Sequence, residues 1–350
     1  LIDRAAKAER FIFLEYFILA EGKLWDELEK ILCAKAREGV EVKIIFDDFG
    51  NIKRFSGETI DRLREVGVEV FIFNPVHEYV NRLHFNYRDH RKIACIDGDV
   101  AYTGGVNIAD EYANLIERFG YWKDSGVCLE GEGAWGLTAS FIRMCVNLGG
   151  VMHNEHDYYR PHTPVKSEGF CQPFTDGPQN NPDNPAEDVF LQMISGARRF
   201  LYITTPYFIP DESLMRALCI AGDGGVDVRL MLPGKPDHWY ADCVAESYFG
   251  ELIKHGVKVY RYTPGFLHGK SIMVDREAAF VGSANMDYRS FELDYECGVM
   301  VYSAPMIESL LEDMDMIVDR SHLVTAEEWA KRSVLRRVFE PLLRLFAIWM

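Results

Sequence analysis

Positive charge, paired cysteines and long apolar runs are what this 350-residue chain has least of. Lysine and arginine number 38 against 54 aspartates and glutamates, a formal net charge of −16. A surface that tracks a nucleic-acid backbone needs clustered cations, so no nucleic-acid partner is expected; a small local basic site is compatible with the total. Eight cysteines occur, none in a C-x-x-C pair, and Cys95 and Cys297 lie in or beside strand-like runs. That usage fits reduced, buried thiols of a cytosolic compartment and excludes a disulfide framework. His153, His156, Asp157 and His162 form the one cluster resembling a metal site, and their spacing matches no zinc template. The longest apolar run near the start, Phe11 to Ala20, is broken by Glu15 and too short to cross a bilayer. The chain opens at Leu1 without an initiator Met or signal-peptide pattern. It is read as a fragment, so that any membrane anchor further upstream would fall outside it.

What the chain does have is a signature, twice. His90-Arg91-Lys92, Asp97, then Gly104-Gly105-Val106-Asn107 is matched by His268-Gly269-Lys270, Asp275, then Gly282-Ser283-Ala284-Asn285. Both read H-x-K-x4-D-x6-G-[GS]-x-N. The histidines and the asparagines are each 178 positions apart (268 − 90 and 285 − 107). The likeness extends outward: Arg10 to Leu14 resembles Arg199 to Ile203, Gly39 to Phe46 resembles Gly225 to Leu232, and Gly67 to Phe71 resembles Gly256 to Tyr260. Each is a β-branched and aromatic run entered from a Gly, the pattern of a strand. Between them, Trp25, Leu28, Ile31 and Leu32, and likewise Leu214 and Leu218, keep helical spacing.

Strands alternating with helices predict α/β units on mixed sheets. The fold class is therefore α/β: two pseudo-symmetric lobes, residues 1–165 and 166–325, with the active site at their interface. Residues 153–188 hold most of the turn-forming residues and read as an irregular connection that lines part of the site. Pro75 lies 15 residues before His90, whereas Pro264 lies four before His268. The first lobe thus carries an 11-residue insertion, largely Val76 to Arg88, at the pocket mouth.

Side chains two apart on a strand share a face, so His90 with Lys92, and His268 with Lys270, each present one imidazole and one ammonium together. Glycine lets backbone approach a ligand closely, and Asn107 and Asn285 offer amide donors. Phosphodiester transfer needs a nucleophile, a proton donor for the departing alkoxide and cations around the equatorial oxygens. The six His, Lys and Asp positions form the candidate catalytic set, with Lys92, Asn107, Lys270 and Asn285 holding phosphate. Asp97 and Asp275, five residues past the lysines near a strand end, suit a structural part. A catalytic imidazole also needs an acceptor on its other nitrogen. Asp124 and Glu296, at matching places in the two halves, are the candidates, each for the histidine of its own or of the other lobe. Tyr207, Asp237 and Tyr248 are candidates for the headgroup site.

These motifs are similar to those of the phospholipase D superfamily, and the context resembles a bacterial cardiolipin synthase. Leu14-Glu15-Tyr16-Phe17-Ile18, Asn86-Tyr87-Arg88-Asp89, Ala101 to Ile108, Asp176-Gly177-Pro178 and Thr205-Pro206-Tyr207-Phe208 carry that likeness over roughly residues 5–350. The resemblance implies a phosphatidyltransferase turning two phosphatidylglycerols into cardiolipin and glycerol through a phosphatidyl-histidine. His90 is then the nucleophile and His268 the acid and base, with no metal or other cofactor. It also implies a place on the cytoplasmic face of a bacterial cell membrane; members usually carry one or two N-terminal transmembrane helices. The alternative on the same scaffold is a hydrolase of lipid, or less readily nucleic-acid, phosphodiesters, with water as acceptor. Finally, residues 326–350 are basic and amphipathic, with Lys331, Arg332, Arg336, Arg337 and Arg344 set against Glu340. Such a segment suits either an anionic membrane surface or docking on the second lobe, and Pro341 interrupts a single helix.

Overall fold

A computed structural model describes residues 1–76, 85–155, 157–167, 169–332 and 343–344. The first half contributes β1 (Phe11–Tyr16), β2 (Glu41–Asp47), β3 (Glu69–Phe73), β4 (Arg88–Asp89), β5 (Lys92–Ile96), β6 (Val100–Gly104), β7 (Tyr121–Lys123) and β8 (Gly126–Glu130). The second contributes β9 (Phe170–Asp176), β10 (Phe200–Thr204), β11 (Phe208–Ile209), β12 (Asp227–Pro233), β13 (Lys258–Tyr262), β14 (Gly265–Leu267), β15 (Ser271–Val274), β16 (Ala278–Gly282), β17 (Met286–Asp287), β18 (Asp294–Tyr302) and β19 (Ser321–Leu323).

The first sheet runs β3-β2-β1-β5-β6-β8, and the second repeats it as β13-β12-β10-β15-β16-β18. In both, the first three strands are parallel and the next three antiparallel. β19 flanks β13, while β4 and β9 pair with β18. The helices fall where the spacing predicts. Lys23–Arg37 buries Trp25, Leu28 and Leu32, and Glu212–Asp223 buries Leu214 and Leu218.

β1 is buried at every position, because both faces of the sheet are covered. One face packs on Trp25, Leu28 and Leu32 of the outer helix. The other joins a core to which both sheets contribute: Phe13, Ile93 and Ala101 from the first, Tyr202, Met273 and Val281 from the second. Leu137 and Phe141 of helix Trp135–Asn147 and Leu311 and Met314 of helix Met306–Asp319 fill the space between. The halves therefore share one interior.

The connection 153–188 is more regular than expected. Residues 170–176 are β9, paired with β18 from Phe170↔Tyr302 to Asp176↔Glu296. None of the described residues of 153–188 lines the cavity that holds the motif histidines. Most of the insertion (77–84) and of the C-terminal segment, including Arg336, Arg337, Glu340 and Pro341, lies outside the described residues, as does His156. Of that C-terminal segment, Leu343 packs against the second-lobe core and the Arg344 guanidinium lies 3.6 Å from the Tyr248 ring centre.

Candidate active site

Each motif histidine sits where the chain leaves a strand paired with the other half: His90 passes from the second sheet to the first, and His268 from the separate β14–β7 pair to the second sheet. β14 pairs in parallel with β7, and the His268 amide then donates to the Lys123 carbonyl at 2.6 Å. β4 pairs in parallel with β18, and the His90 amide donates to the Tyr295 carbonyl at 2.9 Å. Regular strand begins only afterwards, at Lys92 and Ser271. The expectation that His and Lys share a strand face is thus corrected: the histidine belongs to a crossing segment. The lysine reaches its own motif by another route, its ammonium donating to the preceding histidine's carbonyl, at 2.6 Å for Lys270 to His268 and likewise for Lys92 to His90.

This crossing settles which carboxylate serves which imidazole. His268 Nδ1 lies 2.8 Å from Asp124 Oδ2, and His90 Nδ1 lies 2.9 Å from Glu296 Oε1. Both pairs run between the halves. Asp124 also accepts from the Ser125 amide and the Trp122 indole, and Glu296 from the Ser283 hydroxyl. The glycine and serine of the two motifs differ for this reason. A Cβ on Gly105 would stand 2.1 Å from Asp124 Oδ1, whereas the Ser283 side chain is used to hold Glu296. The close approach that Gly105 permits is therefore to Asp124, not to a ligand.

The histidines open on one cavity of about 650 Å³, whose lining includes Phe17, Asn107, Tyr112, Trp122, Asn285 and Arg289. Tyr207 and Asp237 line it too, joined by a 2.6 Å hydrogen bond. Tyr248 does not; it is buried in the second-lobe core against Phe208. Asn107 is already engaged, accepting from the Ile18 amide and donating to the Tyr112 hydroxyl. Asn285 Oδ1 is buried with no hydrogen-bond partner among the described residues.

Asp97 and Asp275 lie outside this group, at the far ends of β5 and β15. Each adopts left-handed backbone, at φ +54° and +53°. Asp97 accepts from the amides of Glu9, Arg10 and Phe11, and Asp275 from those of Arg198, Arg199 and Phe200. They clamp the start of β1 and β10, and their inclusion in the catalytic set is corrected accordingly.

Electrostatics at the centre are set by burial first. Burial drives the Lys92 ammonium down to about 8 and the Lys270 ammonium down to about 7. Burial and the cations of Lys92, Lys270 and Arg289 hold His90 well below its ordinary value. Burial and Lys270 take His268 to about 4, against the pull of Asp124. Burial also lifts Glu296 to about 7. It acts the same way on Asp124, but His268, Lys270 and the Ser125 amide hold that carboxyl below its usual range. The site thus carries more cationic capacity than it can ionise, and a phosphodiester anion bound there would relieve it.

His90, Asp294 and Glu296 have ligand atoms within 4.8 Å of one another, a metal-like grouping. Glu296 is already committed to His90 and Ser283, and Asp294 faces Arg289 at 3.4 Å. The His153 cluster makes other bonds: His162 Nε2 lies 3.1 Å from the Arg10 guanidinium. Sequence reasoning missed Ser283 as a holder of Glu296, and Trp122 and Phe17 as ring contacts of the histidines. The first was visible as the single G/S difference between motifs. Trp122 stands two residues before Asp124, on the short strand β7 that leads into it.

A duplicated sheet with two His-x-Lys crossings on one cavity defines the phospholipase D-like class. Its fold recurs in phosphatidylserine synthase of Haemophilus influenzae Rd KW20 (TM-score 0.71, 15% identity, 99% of this chain and 88% of that one) and in polyphosphate kinase of Porphyromonas gingivalis (TM-score 0.61, 14% identity, 99% and 50%). A family profile described as "Cardiolipin synthase, PLD-like domain" matches residues 1–117 and 190–318. An uncharacterised protein of Streptococcus mutans is 38% identical over 345 residues, 97% of this chain and 74% of that protein. Cardiolipin synthase 2 of Bacillus anthracis is 36% identical over 349 residues (99% and 67%), and the cardiolipin synthase of Halalkalibacterium halodurans 37% over 342 (97% and 67%). The chain belongs to the cardiolipin synthase family of phospholipase D-like enzymes.

Proposed function

We propose that this enzyme moves a phosphatidyl group from one phosphatidylglycerol to a hydroxyl of another, forming cardiolipin and releasing glycerol. The observation that carries the reading is the pair of His–carboxylate contacts between the halves, opening on one cavity beside two buried lysines. Lys92, Lys270 and Asn285 would hold the phosphate oxygens, while Asn107 serves mainly to fix the loop at Ile18. Neutral His90 attacks phosphorus through Nε2 as the bond to the glycerol oxygen breaks. His268, protonated at Nε2 once the anion is bound, gives that proton to the departing alkoxide. A second phosphatidylglycerol then places a hydroxyl in the vacated space and loses its proton to His268. Its oxygen takes the phosphorus, and the P–N bond to His90 breaks.

The division of labour follows the carboxylates. An ionised Asp124 stabilises an imidazolium and suits the acid, His268. Glu296, lifted to about 7, leaves His90 neutral and suits the nucleophile. The division into 1–165, 166–325 and 326–350 is part of this proposal, as is a place at an anionic membrane on the cytoplasmic face; Trp329, Leu343 and Arg344 of the last segment pack on the second lobe. No helix among the described residues is long and apolar enough to cross a membrane.

The test is product analysis with labelled phosphatidylglycerol in mixed micelles without divalent metal. Cardiolipin with one glycerol per molecule formed is expected. Phosphatidic acid as the sole product would mean that water, not lipid, resolves the intermediate, and would overturn the transferase reading.

A further inference from the structure

Several exposed apolar side chains stand close to the catalytic cavity. Phe49, Ile52, Leu115, Ile116, Trp239 and Tyr240 all stand in solvent, Trp239 at 65% exposure. They come from three separate segments, and each segment is anchored in the catalytic cavity. Ile52 lies between Phe49 and Arg54, Leu115 and Ile116 between Tyr112 and Arg118, and Trp239 between His238 and Tyr240; all six flanking residues line the cavity. The apolar tips therefore form a rim around its mouth. Phe85 extends the rim, since the buried Arg88 guanidinium lies 5.5 Å from both the Phe49 and Phe85 rings.

The segments beneath are ordered, so the tips are not floppy termini. Asn51 accepts from the Leu19 amide and donates to the carbonyls of Phe17 and Asp47. Arg54 and Arg118 both reach the buried Glu111 at 3.1 Å. Trp239 opens the helix Trp239–Lys254. Cations stand among the apolar tips. Lys53 and Lys235 are exposed on the first and third segments, while Glu117 is exposed on the second. Apolar and aromatic tips interleaved with cations suit an anionic lipid–water boundary.

We propose that this rim is the membrane-docking surface of the enzyme. It seats the cavity mouth on an anionic bilayer, so that a phospholipid headgroup enters while its acyl chains stay in the membrane. The inference rests on the phosphatidyltransferase reading for the identity of the occupant. It places the contact at the catalytic mouth, apart from the C-terminal segment.

The variant I52S/L115S/I116S/W239S changes rim positions that do not line the cavity. On vesicles of phosphatidylglycerol and phosphatidylcholine, binding and turnover are expected to fall by about tenfold or more. On monomeric dihexanoyl phosphatidylglycerol, below its micelle concentration, turnover should match the parent's, which also shows that the variant folds. Vesicles carrying brominated acyl chains should quench part of the parent's tryptophan emission, and W239F should lose that part. Equal vesicle binding by parent and variant, or no quench traceable to Trp239, overturns the proposal. So does a rim that buries itself in a second copy, seen as a dimer that the variant dissociates without loss of vesicle binding. Vesicle binding and quenching are measured without turnover, so they stand or fall separately from the product analysis that tests the transferase reading.

Discussion

Asp124 and Glu296 occupy matching places and are both buried, yet their neighbours leave them in different states. Asp124 is held below its usual range by His268 and Lys270, while Glu296 is lifted to about 7. If an ionised carboxylate is what makes His268 the acid, Asp124→Asn should lower transfer by about 10²–10⁴-fold, and Glu296→Gln by distinctly less. Steady-state rates of the two variants check this; equal losses would remove the basis for dividing the histidines. Lys270, lowered to about 7, gives a second prediction. A phosphodiester anion favours the ammonium and raises its pKa, so binding takes up a proton. The part of the affinity owed to Lys270 is then full below pH 7 and declines as pH rises through 7 towards the raised value, by up to about tenfold per unit. Lys92, near 8, extends the same trend. Calorimetry with diethyl phosphate, which stays a monoanion throughout, should find proton uptake between pH 7 and 9. Zero uptake would contradict it.

At the scale of elements, the motif aspartates hold strands, not substrate. Removing the Asp275 carboxylate strips acceptors from three amides at the start of β10. Asp275→Ala should cost roughly 2–4 kcal/mol of stability while transfer per folded molecule persists. Denaturant unfolding and activity of the soluble fraction test both halves of that statement. Much of this level was legible in the chain itself. The Gly-led runs became β2 and β3 with their repeats β12 and β13, and the helical spacing of Trp25 and Leu28 became a helix, because burial on a sheet imposes its period on sequence. What periodicity could not convey was pairing between distant segments. β9 lies in a stretch dense with Pro and Asn and becomes a strand only because β18 offers an open edge. The His268–Asp124 contact likewise arises from β14 lying beside β7, a tertiary register with no local signal. The candidate site was found by residue type and duplication; its wiring was not.

Across the whole molecule, duplication has produced one body. Phe13 and Met273, from different sheets, share a core, and each imidazole depends on a carboxylate from the other half. Because both motifs of a site lie in one chain, a mixture of His90→Ala and His268→Ala proteins should stay inactive. Recovery of transfer on mixing would show a site assembled between chains. The central claim, that His90 is the nucleophile and His268 the proton carrier, is tested most directly by trapping the intermediate. Quenching turnover of a short-chain phosphatidylglycerol in alkaline detergent, where a P–N bond survives, followed by peptide mass spectrometry, should place the phosphatidyl group on the peptide that contains His90. An adduct on His268 would contradict the account.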